Sequence, residues 1–255
     1  MLSSFFHSVL YQPLFNVFVG LYNLVPGHDV GVVILVITVV IRLIVYPLTS
    51  SAIKAQRSLQ ELQPKLEELK KQYAGNQQEL ARATMELYKN NKVNPFASCL
   101  PMLIQLPILI ALYMVLRDGL TSVNLDKNLY SFVFNPGHID TVTLGLFDLQ
   151  KPAWVLAILA ALAQFWQTKS MSRKQPPKQA GAGSKDEGMM ATMNKQMLYM
   201  MPILTFVIGL SLPAGLTLYW FFSTLLMGLQ QVILNRAAKE KEEVKVIEGQ
   251  VVDKK

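Results

Sequence analysis

The apolar run Val30–Leu48 carries one charged side chain, Arg42. The run is long enough to cross a bilayer as a helix, because a membrane span needs about 20 mainly apolar residues. A guanidinium in hydrocarbon costs at least about 2.5–3.5 kcal/mol, and arginine does not escape that cost by losing its proton. None of the apolar runs in the chain contains an Asp or a Glu that would neutralise it. Arg42 is therefore expected to face water, polar side chains or an acidic group on another molecule.

Five apolar runs in the chain predict membrane-spanning helices. Only 16% of the residues are charged and 51% are hydrophobic, whereas soluble domains average about 25% charged residues. The composition therefore predicts an all-α polytopic membrane protein. The predicted spans are 30–50, 95–117, 152–168, 197–213 and 214–234, and the last two are separated only by a tight turn.

The basic residues of the loops predict the orientation in the membrane. The segment before the first span has no Lys or Arg, and the loop from Arg117 to Lys151 has three against four acidic residues. The loop 51–94 has eight basic residues, and 169–196 and the tail 235–255 have six each. Because basic loops stay in the cytoplasm, residues 1–29 and 118–151 are predicted to lie outside and the C-terminus inside.

Residues 5–24 form a separate predicted helix within the extracytoplasmic segment 1–29. Its polar residues fall on one face, with Ser8, Gln12 and Asn16 at four-residue steps and Asn23 further on. Such a helix suits the membrane interface, where it lies flat rather than crossing the bilayer. The alternative is a sixth span, which would place both termini inside.

The first cytoplasmic loop, 51–94, predicts a helical hairpin. Leucines recur at three- and four-residue steps in its first half, and Ala74-Gly75-Asn76 separates two stretches rich in helix formers. Pro64 is expected either to kink the first helix or to mark its true start. The loop 169–196 is rich in Pro, Gly and Ser and is predicted to be flexible and basic.

Four stretches of the chain resemble a known family. They are YQPLFNVFVGLYNLVPG, IRLIVYPLTSSAIKAQRSLQELQPKLEELKKQY, LYKNNKVNPFASCLPMLIQLPILIALYMVL and LPAGLTLYWFFSTLLMGLQQVILNR. In this order they are similar to the YidC membrane protein insertases, which are related to the insertases of mitochondria and thylakoids. The chain resembles the compact five-span form, without a large periplasmic domain, and departs from one common pattern because it has no cysteine near its start.

The resemblance implies five helices around a polar groove that opens to the cytoplasm and to lipid and is closed toward the outside. It implies that Arg42, Gln105, Gln164 and Trp220 line this groove as the substrate-binding residues. It also implies a multi-pass protein of the bacterial plasma membrane that inserts nascent membrane proteins and helps them fold. The ribosome and the Sec translocon are further implied partners, the former near the basic loop 169–196 and the tail. Neither DNA nor a cofactor is implied.

Each of these site residues also has a purely structural interpretation. Arg42 lies close enough to Leu48 for its side chain to reach the cytoplasmic interface. Gln105 and Gln164 are of a type that hydrogen-bonds between helices in membrane bundles, and Trp220 is of a type that anchors spans at the interface.

The sequence disfavours an enzyme and a small-solute transporter and leaves one alternative function open. The sequence shows no metal-ligand spacing, glycine-rich phosphate loop or nucleophile–base set, so no enzyme is predicted. A small-solute transporter is disfavoured because such proteins carry titratable carboxylates in their spans or internal repeats. A non-catalytic membrane scaffold stays open as the alternative, although it leaves the unpaired Arg42 unexplained.

Overall fold

The computed structural model describes residues 2–94, 100–121, 125–171 and 198–252, and most of them are helical. The helices are α1 (Leu2–Phe6), α2 (Gln12–Leu24), α3 (Val30–Glu61), α4 (Gln63–Gln72), α5 (Gln77–Asn90), α6 (Leu100–Leu120), α7 (Trp154–Met171), α8 (described over Leu198–Gly209) and α9 (Ala214–Val252). A π-helical turn, His7–Tyr11, joins α1 to α2, and 3-10 turns cover Pro26–His28 and Leu125–Lys127. Two short antiparallel strands, β1 (Val142–Thr143) and β2 (Phe147–Asp148), form a hairpin.

Three of the described helices contain segments long and apolar enough to cross a membrane: Val30–Glu61, Leu103–Leu120 and Ala214–Ala238. The described part of α8 is apolar but shorter. These helices agree with the predicted class of an all-α membrane protein. Residues 172–196 of the predicted flexible loop, and the ends of two predicted spans at 95–99 and 197, lie outside the described residues.

The described chain divides into two compact units. The first contains residues 2–44, 103–121, 125–169 and 198–228, and the second contains 45–94, 100–102, 170–171 and 229–252. The first unit has a buried apolar core built from α2, from the starts of α3, α7 and α9, and from the end of α6. Its largest fully buried side chains are Tyr11, Tyr219, Phe15, Phe18, Ile34, Ile37, Leu112, Ile139 and Leu149.

The polar stripe of the N-terminal helix is partly turned into the protein. Asn16 is buried, and its amide donates to the carbonyl oxygen of Asn128 at 2.8 Å and accepts from the backbone N–H of Tyr130 at 2.6 Å. Asn23 donates to the carbonyl oxygen of Phe134 at 2.7 Å. These asparagines therefore satisfy backbone groups of the loop that follows α6, a role that the four-residue spacing alone does not distinguish from contact with lipid headgroups.

Tyr11 makes a second connection between the N-terminal segment and α6. Its hydroxyl donates to the carboxylate of Asp118 at 2.8 Å and accepts from the side chain of Asn128 at 3.2 Å. Burial raises the pKa of Tyr11, and the hydrogen bond to Asp118 raises it further. The phenol is therefore held as a neutral donor.

Asp29 connects the start of α3 to the β-hairpin. One carboxylate oxygen accepts from the Thr143 hydroxyl and from the backbone N–H of Val32 at 3.1 Å, and the other accepts from the N–H of Leu144 at 2.7 Å. The bond to Val32 satisfies one of the backbone donors that a helix start leaves unpaired. Partial burial by itself would raise the pKa of Asp29, but the hydrogen bonds from Thr143 and the backbone outweigh it and lower the pKa.

We expect the contribution of Asp29 to stability to depend on pH in the acid range. Because the folded state lowers the pKa, this contribution is present above the unfolded-state value of about 3.9. It is lost as the pH falls through the lower, folded-state pKa. Thermal unfolding in detergent between neutral pH and pH ~3 tests this, with Asp29→Asn as the control. The parent should lose more of its melting temperature than the variant, and parallel losses would contradict the prediction.

Gly31 allows the β-hairpin to approach the start of α3. A Cβ atom at this position would lie 2.1 Å from Oγ1 of Thr143 and 3.1 Å from the Asp29 carboxylate. We expect Gly31→Ala to lower the free energy of unfolding by about 1–3 kcal/mol, the usual cost of overpacking. Gly20→Ala in α2 is the matched control, because its Cβ would meet nothing within 4 Å. Equal melting temperatures for the two variants would contradict the prediction.

The second unit contains the helical pair that follows the apolar part of α3. Leu62 interrupts the helix, Pro64 lies in the first turn of α4, and α4 contacts α5. Gly75, with φ of 91°, makes the turn between them, and the Asn76 side chain caps α5 by accepting from the N–H of Glu79. Pro64 therefore marks a helix start, which is one of the two alternatives that the sequence leaves open.

The second unit also contains a buried side-chain amide, that of Gln230. The Gln230 side chain donates to the hydroxyls of Thr49 at 3.0 Å and Ser50 at 2.9 Å, and it accepts from Thr49 at 3.2 Å. Hydrogen bonds between spans of this kind hold membrane helices together where no carboxylate is present. They connect the middle of α3 to the middle of α9.

Candidate functional site

Arg42 lies at the centre of a polar cluster made by three helices of the first unit. Its Nη2 atom donates to Oε1 of Gln105 on α6 at 3.3 Å and to the hydroxyl of Ser223 on α9. The Gln105 amide in turn donates to the hydroxyl of Tyr219 at 2.8 Å. These four residues, Arg42, Gln105, Tyr219 and Ser223, are called the arginine cluster below.

The arginine cluster begins where the apolar core of the first unit ends. Ile37 is the last residue of α3 in that core, Leu112 is the first of α6, and Tyr219 is the last of α9. Arg42 follows Ile37 by five residues, which is about 7.5 Å of helix. One end of the bundle is therefore filled by large apolar side chains, and hydrogen-bonding groups replace them directly beyond it.

Within the described part of the chain, the hydrogen-bond partners of Arg42 are neutral groups. Among the residues that the structure describes, no Asp or Glu forms an ion pair with Arg42. Both of its hydrogen bonds leave from Nη2, and a guanidinium has further N–H donors on Nη1 and Nε. Paired donors of this planar group match the two oxygens of a carboxylate. The cluster is thus suited to holding an acidic group reversibly.

Two of the four predicted site residues hydrogen-bond to each other. Arg42 and Gln105 meet, as described above. Gln164 is half-buried and hydrogen-bonds to Thr168 one turn further along α7. Trp220 is also half-buried, and within the described ranges neither it nor Gln164 hydrogen-bonds to Arg42. Their role in the groove stays a prediction.

Ser223 and Tyr219 are the two cluster residues that were not predicted to belong to the site. They lie four residues apart on α9 and therefore share one face of that helix. Two polar residues at this spacing inside an apolar run are the sequence pattern from which both could have been predicted. Trp220, the immediate neighbour of Tyr219, points about 100° away from it around the helix.

α9 lies close to α7 at Gly228, five residues after Ser223. A Cβ atom added to Gly228 would lie 2.2 Å from Cζ3 and 2.8 Å from Cε3 of Trp166. The glycine thus leaves room for the edge of the indole ring against the α9 backbone. Any larger residue at position 228 requires Trp166 or one of the two helices to move.

Comparisons with known proteins find similar sequences over most of the chain. A family model described as the 60Kd inner membrane protein matches residues 20–242. A membrane protein insertase YidC of Fusobacterium nucleatum is 36% identical over 204 residues, which cover 80% of this chain and 85% of the relative. The protein of the same name from Oceanobacillus iheyensis is 33% identical, with 88% and 79% covered. That from Methylobacillus flagellatus is 34% identical, but the match covers 91% of this chain and only 37% of the longer relative.

Proposed function

Because this chain belongs to the family of the 60Kd inner membrane protein, we propose that it is a membrane protein insertase. It is a multi-pass protein of the bacterial inner membrane, and its substrates are nascent membrane proteins. We propose further that it handles proteins with few spans and short translocated tails, and that it also helps them fold. It forms no covalent bond with them.

The observation that carries this proposal is the charge of Arg42 among neutral partners. A substrate helix gains free energy in lipid, but its polar tail must first cross hydrocarbon. A polar notch part of the way across shortens that distance, and a positive charge attracts an acidic tail more strongly at low dielectric. A strong internal ion pair would have to be broken first. The hydrogen bonds from Arg42 to Gln105 and Ser223 are exchanged for the substrate carboxylate at lower cost.

The proposed architecture is five spans around a groove lined by Arg42, Gln105, Gln164 and Trp220. The N-terminus and residues 118–151 lie outside, and the C-terminus lies in the cytoplasm. The apolar core at the starts of α3, α7 and α9 supports a groove that is sealed on the outer side. The arginine cluster, directly beyond that core, supports a groove that opens toward the cytoplasm.

The cytoplasmic segments are proposed to receive substrate. The helical hairpin of 51–94 has eight basic residues against five acidic ones, and it is joined to the groove through α3. The basic loop 169–196 and the tail 235–255 are proposed to lie near the ribosome, whose RNA is anionic. The Sec translocon is a further proposed partner. We propose that the insertion itself is driven by burial of the substrate's apolar span, with the membrane potential as a further proposed contribution.

The proposal is tested with purified protein in proteoliposomes and a single-span substrate with a short acidic N-terminal tail. Protease added outside digests tails that have not crossed, so protected tail measures insertion. We expect more protected tail with the protein than in empty liposomes of the same lipid. Equal protection in both would contradict the insertase function and favour a membrane scaffold.

A further inference from the structure

The β-hairpin between α6 and α7 has a turn of unusual composition. The backbone N–H of Leu146 donates to the carbonyl oxygen of Thr143 at 2.9 Å. The two central residues of this turn, Leu144 and Gly145, have φ of 51° and 68°. Turns with two positive φ angles favour Asn-Gly or Asp-Gly, and a bulky leucine is strained there. The chain nevertheless places a leucine at the tip.

The same turn exposes its apolar side chains almost completely. Leu144 is 73% exposed and Leu146 is 74% exposed. Leu146 borders a shallow depression that is also lined by Lys151 and by Trp154, which is 66% exposed. Tryptophan and lysine together are typical of the boundary between membrane and water. Exposed apolar surface of this extent at one tip, beside an exposed tryptophan, indicates that the tip contacts a nonaqueous environment.

The position of the tip indicates what that environment is. Asp29 accepts hydrogen bonds from Thr143 and Leu144, and Gly31 allows the backbone to approach Thr143 closely. Residues 142–148 are thereby held against the first turn of α3, the helix with the highest hydropathy among the candidate spans. Trp154, at the edge of the depression, is also the first residue of α7. The tip therefore lies at the level where apolar helices enter the bilayer.

We propose that Leu144 and Leu146 insert into the lipid leaflet at which α3 begins. Trp154 lies beside them at the boundary, and Lys151, 79% exposed although it pairs with Asp148, faces the phosphate headgroups. The occupant of this surface is lipid rather than another protein, because the surface includes the exposed Trp154, the first residue of α7, and lies beside the first turn of the apolar helix α3. This contact is independent of substrate binding, and it anchors the loop that caps the first span.

The depth of the tip is measured with a fluorescent label on the full chain in liposomes. Cys99 is the only cysteine, so Cys99→Ser provides the background for single-cysteine variants. The polarity-sensitive dye NBD is attached to Leu144→Cys, to Leu146→Cys and, as the control, to Lys127→Cys. Lys127 is an exposed residue of the same loop. Quenching is compared between lipids with a shallow acyl-chain quencher and iodide in the water.

We expect the labels at 144 and 146 to emit at shorter wavelength and to be quenched by the lipid quencher, and the label at 127 to be quenched by iodide. Iodide quenching of all three labels to the same extent would overturn the proposal. Quenching that rises with the protein-to-lipid ratio would also overturn it, because it would indicate contact with a second copy of the chain.

A further variant separates lipid contact from the fold of the turn. Asparagine tolerates the positive φ of position 144 better than leucine does, so Leu144→Asn should keep the hairpin folded. With the label at 146, this variant is expected to lose part of the lipid quenching while its melting temperature in detergent is unchanged. Undiminished lipid quenching in the variant would show that Leu144 does not hold the tip in the membrane.

Discussion

Replacement of Arg42 by alanine is expected to lower the insertion of an acidic-tailed substrate by about 10- to 100-fold, because a hydrogen bond to a charged group contributes about 1.5–3 kcal/mol. Arg42→Lys keeps the positive charge and should retain most of the activity, although it loses the planar donor pair. A substrate with a neutral tail should be much less affected by either change. Protease protection in proteoliposomes measures both variants with both substrates.

The control for this prediction is Arg117→Ala. Arg117 is an exposed arginine at the end of α6 that pairs with its neighbour Asp118 at 2.9 Å, so its removal leaves the arginine cluster intact. Melting temperatures in detergent must be similar for parent and variants before the insertion data are compared. If Arg42→Ala impairs acidic and neutral tails equally, Arg42 acts on the structure of the groove and not on substrate charge. Normal insertion by Arg42→Ala would remove its proposed docking role.

Gly228→Ala is expected to cause a large loss of stability. The new methyl group would overlap the indole ring of Trp166, whose nearest atom is 2.2 Å from the Cβ position. A flat, rigid ring relieves such an overlap only if α7 and α9 separate or rotate. Overpacking of this kind typically costs about 1–3 kcal/mol and occasionally more. Thermal unfolding in detergent measures the loss.

A second substitution tests the cause. Trp166→Leu removes the ring that the methyl group meets, so the double variant Gly228→Ala, Trp166→Leu should be more stable than the sum of the two single effects predicts. Such coupling between contacting residues is measured by a double-mutant cycle. Strictly additive losses would show that the destabilisation does not come from this contact.

Some features of this molecule were predictable because their sequence patterns are compatible with few alternative structures. Long apolar runs have few alternatives to membrane helices, and a lone charge such as Arg42 must find polar partners there. The family resemblance names Gln105 as a groove residue; it hydrogen-bonds to Arg42, and its role in a groove stays a prediction. The turn around Gly75 and Asn76 followed from residues that tolerate tight turns and cap helices.

Other features depend on which distant residue a side chain meets. The polar stripe of α2 is equally compatible with water, headgroups and protein, and only the fold shows Asn16 bonded to the backbone of the 128–130 segment. The sequence does not predict Ser223 as a site residue, because a single serine in a span is common. Its role becomes visible only through the hydrogen bond that it accepts from Arg42 on another helix. The sequence does not predict the turn at the hairpin tip, because leucine is not a typical residue at turn positions with positive φ.

Several hydrogen bonds of the N-terminal segment form only late in synthesis, because their partners lie more than 100 positions further along the chain. Tyr11 pairs with a residue 107 positions later, Asn16 with groups 112 and 114 positions later, and Asp29 with groups 114 and 115 positions later. A chain grows at about 5–20 residues per second. These polar groups therefore lack their hydrogen-bond partners for many seconds. Until Leu144 leaves the ribosome, the first span lacks part of its cap, and the N-terminal helix lacks the backbone that satisfies its asparagines. The protein is therefore, during its own synthesis, an incompletely paired membrane chain of the kind that we propose it later assists.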